Sequence, residues 1–323
     1  MQTRPLGQSD VRITPILMGT WQAGKRWWVG IDDRESIEAI RAAVDAGITT
    51  IDTAEVYGDG HSERIIGEAL QDIPRDRVEI ASKVFANHLR ADETIAACER
   101  SLQNLRTDYL DLYQIHWPAG SFNNEIVPVA ETMDALNRLQ QQGKIRAIGV
   151  SNFSLAQLQE AQQYGRIDSV QPPYSLFWQH VAQDLQPYCV ANNITILAYS
   201  PLAQGLLTGK FGPDHKFAAG DHRSDNRLFH GETFQRAQAA IAQLQPIAAS
   251  YGCTLGQLAL AWLIAQPNAC AIAGARSAQQ ARENAQAAAL SLSEVDLRAL
   301  AAISQPVIER LSPDKPVMWT FVS

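Results

Sequence analysis

The stretch TIDTAEVYGDGHSE, residues 50–63, holds one whole unit of structure. The run TTID (49–52) is β-branched and apolar and closes on an acid, Asp52. Ser62 opens an amphipathic stretch that runs to Leu70. Between them lie a phenol, Tyr57, and two glycines, Gly58 and Gly60. A short strand that passes through a polar turn into a helix is the building unit of α/β proteins.

The same unit recurs in both directions along the chain. Toward the N-terminus, 13–19 reads as a strand and 32–47 as a helix, with Asp32 as cap, Glu35 at the capping-box position and Gly47 as the stop. Toward the C-terminus, strands at 78–83, 109–117, 146–151 and 168–171 alternate with helices at 92–105, 126–142, 155–164 and 185–192. Strands at 194–200 and 269–274 follow, and a helix at 278–288. Eight such units predict an α/β fold of the (β/α)8 or TIM-barrel type, one domain over residues 1–323. A doubly wound sheet fits less well, because LMGTWQAGKRW after the first strand is not G-x-G-x-x-G. Turn chemistry at GQSD (7–10) predicts an N-terminal β-hairpin at the barrel floor. Residues 203–231 read as a long loop after strand 7, and 306–323 as irregular.

The bulk numbers remove several classes of function. With 46% hydrophobic and 19% charged residues the chain is globular in composition. Its net charge is −7 and it has no block of Lys and Arg among aromatics, so a nucleic-acid partner is not expected. No apolar run reaches the roughly 20 residues of a membrane span, and the N-terminal stretch lacks the apolar core of a signal peptide. Cys98, Cys189, Cys253 and Cys270 are far apart with no C-x-x-C pair. They read as thiols of a reducing compartment, and the protein as cytoplasmic.

In such a barrel the C-terminal strand ends share one face, and that face carries the chemistry. The second run ends in Asp52, the third in Lys83, the fourth in His116 and the fifth in Ser151 and Asn152. The sixth ends in Gln171, the seventh in Tyr199 and Ser200, and the eighth in Gly274. Taken singly, Asp52 reads as a turn or cap residue, His116 as structural and Tyr57 as an exposed aromatic. Lys83 is harder to place alone, since Lys is seldom buried without a partner, and Asp52 supplies one. Together they suit carbonyl reduction. A phenol ionises near about 10, and a neighbouring ammonium is expected to lower that value. Asp52 would hold Lys83 charged, His116 would hydrogen-bond the oxygen that meets Tyr57, and Tyr57 would protonate a developing alkoxide while a cofactor gives hydride. No cluster has metal-ligand spacing and no G-x-S-x-G elbow occurs, so metal-assisted and serine acyl chemistry are disfavoured.

Six segments, in order, resemble the signatures of the aldo-keto reductases: GITTIDTAEVYGDGHSERIIGEAL, ASKV, DLYQIHWP, GKIRAIGVSNF, AYSPLAQGLLTGK and GARSAQQARENAQA. The resemblance spans essentially the whole chain and is nearest the bacterial general reductases, which are also similar to potassium-channel β subunits. It implies a small-molecule carbonyl substrate, NADPH/NADP+ bound without a Rossmann fold, and a catalytic tetrad of Asp52, Tyr57, Lys83 and His116 with Tyr57 as proton donor. By the same resemblance Ser151, Asn152 and Gln171 hold the carboxamide and Tyr199 stacks on the nicotinamide. Ser200, Leu202, Gly205 and Lys210 match the pyrophosphate loop, and Arg276, Ser277, Gln280 and Asn284 the adenosine end. Gly19, Thr20, Trp21, Asp52, Pro201, Gly274 and Glu283 complete the implied cofactor set. Arg276 follows Gly274 and Ala275 where the mammalian branch has a lysine-bearing strand end, and Gln280 stands where it has an arginine. The 2′-phosphate contact therefore falls mainly on Arg276.

The implied substrate pocket is aromatic: Trp21, Tyr57, His116, Trp117 and, from the tail 313–323, Trp319. Such a wall favours apolar or aromatic carbonyls. Trp27, Trp28 and Trp178 read equally as pocket residues or as residues merely packed or at an oligomer contact, the oligomeric state being open, and Lys25, Arg26 and Arg223 are candidates for charge near the mouth. Two rival functions share the residues: NADP-dependent oxidation of an aldose or other alcohol, and a cofactor-sensing regulatory subunit. The complete tetrad counts against the second.

Overall fold

The apolar runs read above assemble into a closed barrel of eight parallel strands. The computed structural model describes residues 1–312. A short antiparallel hairpin, β1 (Arg4–Pro5) with β2 (Arg12–Ile13), precedes the barrel. The barrel strands are β3 (Ile16–Gly19), β4 (Thr50–Asp52), β5 (Glu79–Val84), β6 (Leu110–Ile115), β7 (Ile145–Ser151), β8 (Ser169–Gln171), β9 (Thr195–Ala198) and β10 (Ala269–Gly274). They follow one another in chain order, and β10 closes on β3 with Gly274 beside Gly19. All residues of β6 are buried, as expected where one face packs inside a barrel and the other under helices. That double burial is why the strands read as continuous apolar runs and not as alternating ones.

The helices are α1 (Asp33–Asp45), α2 (His61–Ala69), α3 (Ala91–Leu105), α4 (Val129–Gln141), α5 (Leu155–Ala161), α6 (Leu185–Ala191), α7 (Gly231–Ser250), α8 (Leu255–Ile264), α9 (Ala278–Gln286) and α10 (Glu294–Ile308). Asp32 caps α1 through the Glu35 N–H, as its position suggested. The helix expected from residue 126 starts later, at Val129, because Pro128 takes the cap position. Three helices were not legible in the sequence. α8 is buried all round from Gln257 to Ile264, so it shows no amphipathic period. α7 follows the long loop, which is irregular as expected apart from short 3-10 turns. α10 carries Pro306 in its last turn, so the stretch read as irregular from 306 begins inside a helix.

The hairpin plugs the floor. Leu6, Val11 and Ile13 join the inward-facing Leu17, Ala81, Leu112, Ala147, Leu197 and Cys270 in one apolar cluster. Gly7 turns at φ +57°, and a Cβ there would lie 2.3 Å from the Asp168 carbonyl oxygen, so the plug needs glycine. Beside it Asp111 accepts bonds from Arg75 (2.7 Å), Arg146 (2.8 Å) and the Ile80 N–H (2.9 Å). With one end sealed, ligands have the other. Among the described residues no single helix is long and apolar enough to cross a membrane.

Candidate active site

At the open end the strand-end side chains converge. Asp52, the last residue of β4, and Lys83, on β5, are buried side by side. Lys83 Nζ donates to Asp52 Oδ1 and to the Thr53 carbonyl, both at 2.7 Å, and to the Tyr57 hydroxyl at 3.5 Å. The second oxygen of Asp52 accepts from Gln171 Nε2 at 2.9 Å, so a residue of β8 steadies the ion pair from across the barrel. His116, just past β6, sets its ring edge-on to Tyr57 with centroids 5.7 Å apart. Tyr57 reaches this spot because its turn folds back against the loop after β3. Gly58 sits at φ +65°, and a Cβ on it would lie 2.3 Å from the Gly24 carbonyl oxygen. One on Gly24 would lie 2.6 Å from the Tyr57 carbonyl carbon.

Electrostatics here differ from the sequence expectation. The Tyr57 hydroxyl is pushed well above its ordinary value, first by removal from water and then by the Asp52 carboxylate. Lys83 is lowered by burial, which the Asp52 charge only partly offsets. His116 is lowered well below the usual imidazole value, by burial and then by Lys83. The expectation that Lys83 would acidify Tyr57 fails because desolvation dominates and Asp52 already neutralises the ammonium. At neutral pH the site therefore holds a protonated phenol and a neutral imidazole.

A groove of about 720 Å³ runs from these residues across the barrel mouth. Its walls include Gly19, Thr20, Trp21, Asp52, Tyr57, His116, Trp117, Ser151, Asn152, Gln171, Tyr199, Ser200, Pro201, Leu202, Gly205, Lys210, Gly274, Arg276, Gln280, Glu283 and Asn284. The sequence had singled out every one of them. Lys83 lies beneath the wall. Ser277 is not part of the lining; its hydroxyl caps α9 through the Gln280 N–H. Trp319 and the rest of the tail lie outside the described residues. Near the tetrad, Ser151 Oγ donates to the Gln171 carbonyl, Asn152 Nδ2 to the His116 carbonyl and Tyr199 OH to Asn152 Oδ1, all between 2.9 and 3.0 Å. Asn152 (φ +60°) and Ser200 (φ +51°) both hold left-handed backbone, a strain that clusters at ligand sites.

The far end of the groove gathers donors without acceptors. Lys210 is lowered by burial and then by Arg223 and Arg276, and Arg276 by burial and then by Arg223, which the Asp221 carboxylate partly offsets. Arg276 Nη2 and Gln204 Nε2 are buried with no partner. A surplus of buried N–H groups beside the N-terminus of α9 suits a polyanion, since such groups are costly to leave unmade.

Other wall residues were not assigned from sequence, Gln22, Phe85, Phe122 and Gln204 among them, whereas Arg26, expected to bring charge near the mouth, and Trp27 and Trp28, left open, also line it. Trp28 stands edge-on to Trp21 at 5.1 Å, with the Arg223 and Arg276 guanidiniums 5.1 and 5.0 Å from its ring. His222 Nδ1 donates to the Trp27 carbonyl at 2.9 Å. The loop after β3 and the long loop after β9 thus meet across the groove. The tryptophan pair was the available signal; their partners are too distant in the chain to be read from it. Of the other candidates, Trp178 is core, Lys25 is tied to Asp33 at 2.8 Å, and Arg223 is paired with Asp221.

Comparison with known proteins agrees with this architecture. The sequence model of the aldo/keto reductase family matches residues 15–305. A protein of Escherichia coli (strain K12), described as an NADH-specific methylglyoxal reductase, is 35% identical over 317 residues, covering 92% of this chain and 96% of its own. The structure of a glycerol dehydrogenase from Gluconobacter oxydans superposes with a TM-score of 0.87 at 33% identity, over 99% of both chains. An aldo/keto reductase from Klebsiella pneumoniae, solved with NADP and acetate, gives 0.75 at 31% identity, again over 99% of each.

Proposed function

The chain belongs to the aldo/keto reductase family, and from that premise we propose that it reduces small aldehydes and ketones to alcohols with NADPH, Tyr57 giving the proton. The observation that carries the reading is the contact of Tyr57 OH with Lys83 Nζ, at 3.5 Å, beside His116 in a groove with a cationic far end.

The cofactor, when bound, supplies the hydride. The chain's own residues do the rest. Tyr57, whose proton is firmly held in the free protein, gives it to the oxygen as negative charge develops there. Lys83 then stabilises the phenolate left behind, and Asp52 and Gln171 keep Lys83 in place. His116, neutral, presents a second polar group beside Tyr57 without adding a competing charge. Ser151, Asn152 and Gln171 would hold the amide of the nicotinamide and Tyr199 its ring. Lys210 and Arg276, with the N-terminus of α9, would take the phosphates. Trp21, with its ring centroid 6.5 Å from that of Tyr57 and backed by Trp28, would shield the phenol from water.

The choice between NADPH and NADH rests on Arg276. The E. coli relative is described as NADH-specific and the Klebsiella structure holds NADP. Here an unpartnered guanidinium nitrogen at the far end supports the phosphorylated cofactor. The likeness to a glycerol dehydrogenase raises the reverse direction, in which Tyr57 would have to act as a base. Burial keeps that phenol protonated in the free protein, the state from which reduction starts, and oxidation would start from the phenolate beside Lys83. The test is spectrophotometric loss of NADPH against a panel of carbonyls. Absence of turnover with all of them, or an equal rate from Tyr57→Phe, refutes the proposal.

A further inference from the structure

We infer that Glu55 is a positioning residue for this reaction: its carboxylate ties the Tyr57 turn to the loop after β5, and so places both the phenol over Lys83 and the Phe85 ring against His116. The inference rests on the reading of the site just given, and extends it to a residue outside the groove.

Glu55 lies between Asp52 and Tyr57, yet it does not line the groove. Its side chain is only 11% exposed, a costly place for a carboxylate unless its oxygens are occupied. They are. Oε1 accepts from the Phe85 N–H at 2.9 Å and from His88 Nδ1 at 3.0 Å, and Oε2 accepts from Arg100 Nη2 at 3.2 Å. Nδ1 of His88 donates here, because the carboxylate oxygen it faces can only accept. One largely enclosed carboxylate therefore collects a backbone N–H and an imidazole N–H from the loop after β5 and a guanidinium from α3.

The consequence falls on two aromatic rings. On the Tyr57 side, the backbone of Glu55 is also engaged: its N–H points at the Lys83 carbonyl (3.4 Å) and its carbonyl accepts from the Gly60 N–H (2.7 Å). At its start the turn is held to β5, by the Thr53 N–H on the Ala81 carbonyl (2.9 Å) and by Lys83 Nζ on the Thr53 carbonyl (2.7 Å). Nearer the phenol the bonds are local, Tyr57 N–H to the Ala54 carbonyl and Ser62 N–H to the Tyr57 carbonyl. There the Glu55 carboxylate adds the tie to the loop after β5. On the other side it holds the backbone of Phe85, whose ring packs edge-on to His116 at 5.7 Å and stacks on Phe122 at 5.6 Å. Tyr57 stands on the loop after β4 and His116 just past β6, and Glu55 is a strut from the first of these to the loop after β5, which lies between them and carries Phe85 against His116.

The test uses Glu55→Ala and the near-isosteric Glu55→Gln. A displacement of about 1 Å in a reacting group costs up to about 10²-fold in rate, so Glu55→Ala should lower kcat by roughly 10- to 100-fold. Cofactor Kd, read by fluorescence quenching, should change by less than about 2-fold, because the phosphate end is untouched. Glu55→Gln should fall between, since its amide oxygen still accepts from the Phe85 N–H. A second readout needs no turnover: the ring-carbon NMR signal of Tyr57, assigned by its loss in Tyr57→Phe, should shift or broaden in Glu55→Ala. If the parent reduces no carbonyl, the NMR signal alone decides, and the functional proposal fails separately. An unmoved Tyr57 signal overturns the inference. So does a loss of kcat matched by an equal loss of cofactor affinity, which marks general disruption. If Glu55→Ala does not fold, the same criteria apply to Glu55→Gln.

Discussion

At the floor of the barrel Asp111 is buried and all its bonds are accounted for, two arginines and a backbone N–H converging on its carboxylate. At the mouth, His116 Nδ1, just past the strand that carries Asp111, and Trp28 Nε1, Gln204 Nε2 and Arg276 Nη2, on the loops after other barrel strands, are buried with none. The floor is also filled by the hairpin, whereas the mouth is a groove of about 720 Å³. Completed networks stabilise a fold by themselves; donors left unmade mark a place that a ligand completes. Both ends are polar and both are buried, so neither burial nor charge distinguishes them. What distinguishes them is whether the partners come from the chain.

That contrast can be broken by experiment. The largest effect belongs to Tyr57→Phe, which should cost about 10²- to 10⁴-fold in turnover and leave the thermal midpoint and cofactor Kd nearly unchanged. A large fall in melting temperature would show that the mouth is also structural. Next comes Asp111→Ala. Loss of one partner of a buried ion pair costs about 3–5 kcal/mol, and the lower end applies because Arg75 and Arg146 can turn partly toward water. Urea unfolding should record that loss while kcat per folded molecule stays at the parent value; a fall in kcat would couple the two ends. Arg276→Ala is smaller. It should weaken NADPH by roughly 10-fold, as expected for one charge-assisted contact, with NADH hardly affected in parallel titrations. Equal weakening of both would move Arg276 from the 2′-phosphate to the shared part of the cofactor. The smallest effect is a slope. His116 stays neutral in the fold while the unfolded chain takes up a proton below about 6.5. The stability it contributes is full above that pH and falls as pH drops toward the lower folded value. Unfolding midpoints between pH 7.5 and 5 should therefore fall less steeply for His116→Gln than for the parent, by at most about 1.4 kcal/mol per pH unit. Equal slopes would mean that His116 takes up its proton alike in the folded and the unfolded chain.

Much of this was legible in the chain because barrel strands end where the chemistry begins. Asp52, Lys83, His116 and Gln171 could be picked by position alone, and the structure brings them within hydrogen-bonding distance or ring contact. The helices that escaped notice were those without a face: α8 is enclosed by neighbours and so carries no period to read. The roof of the groove escaped for another reason. His222 and the Trp27 carbonyl are 195 positions apart, and nothing local to either announces the other. Tyr57 shows a third limit. Its neighbours were identified correctly, but the direction of its shift depends on how far water is excluded, a property of the assembled site.

Gly24 and Gly58 carry a consequence for inheritance. Each is the only kind of residue that leaves room for the other's backbone, with 2.3 Å and 2.6 Å available where a methyl group would go. A change at either forces the two loops apart. The steric part of the damage from the second change should then be less than additive, since the space has already been opened, while Gly58, at φ +65°, keeps a backbone requirement of its own. Gly24→Ala, in a loop with no proton to give, should resemble a Tyr57 defect in its kinetics, and descendants that lose Gly58 have less left to protect at Gly24.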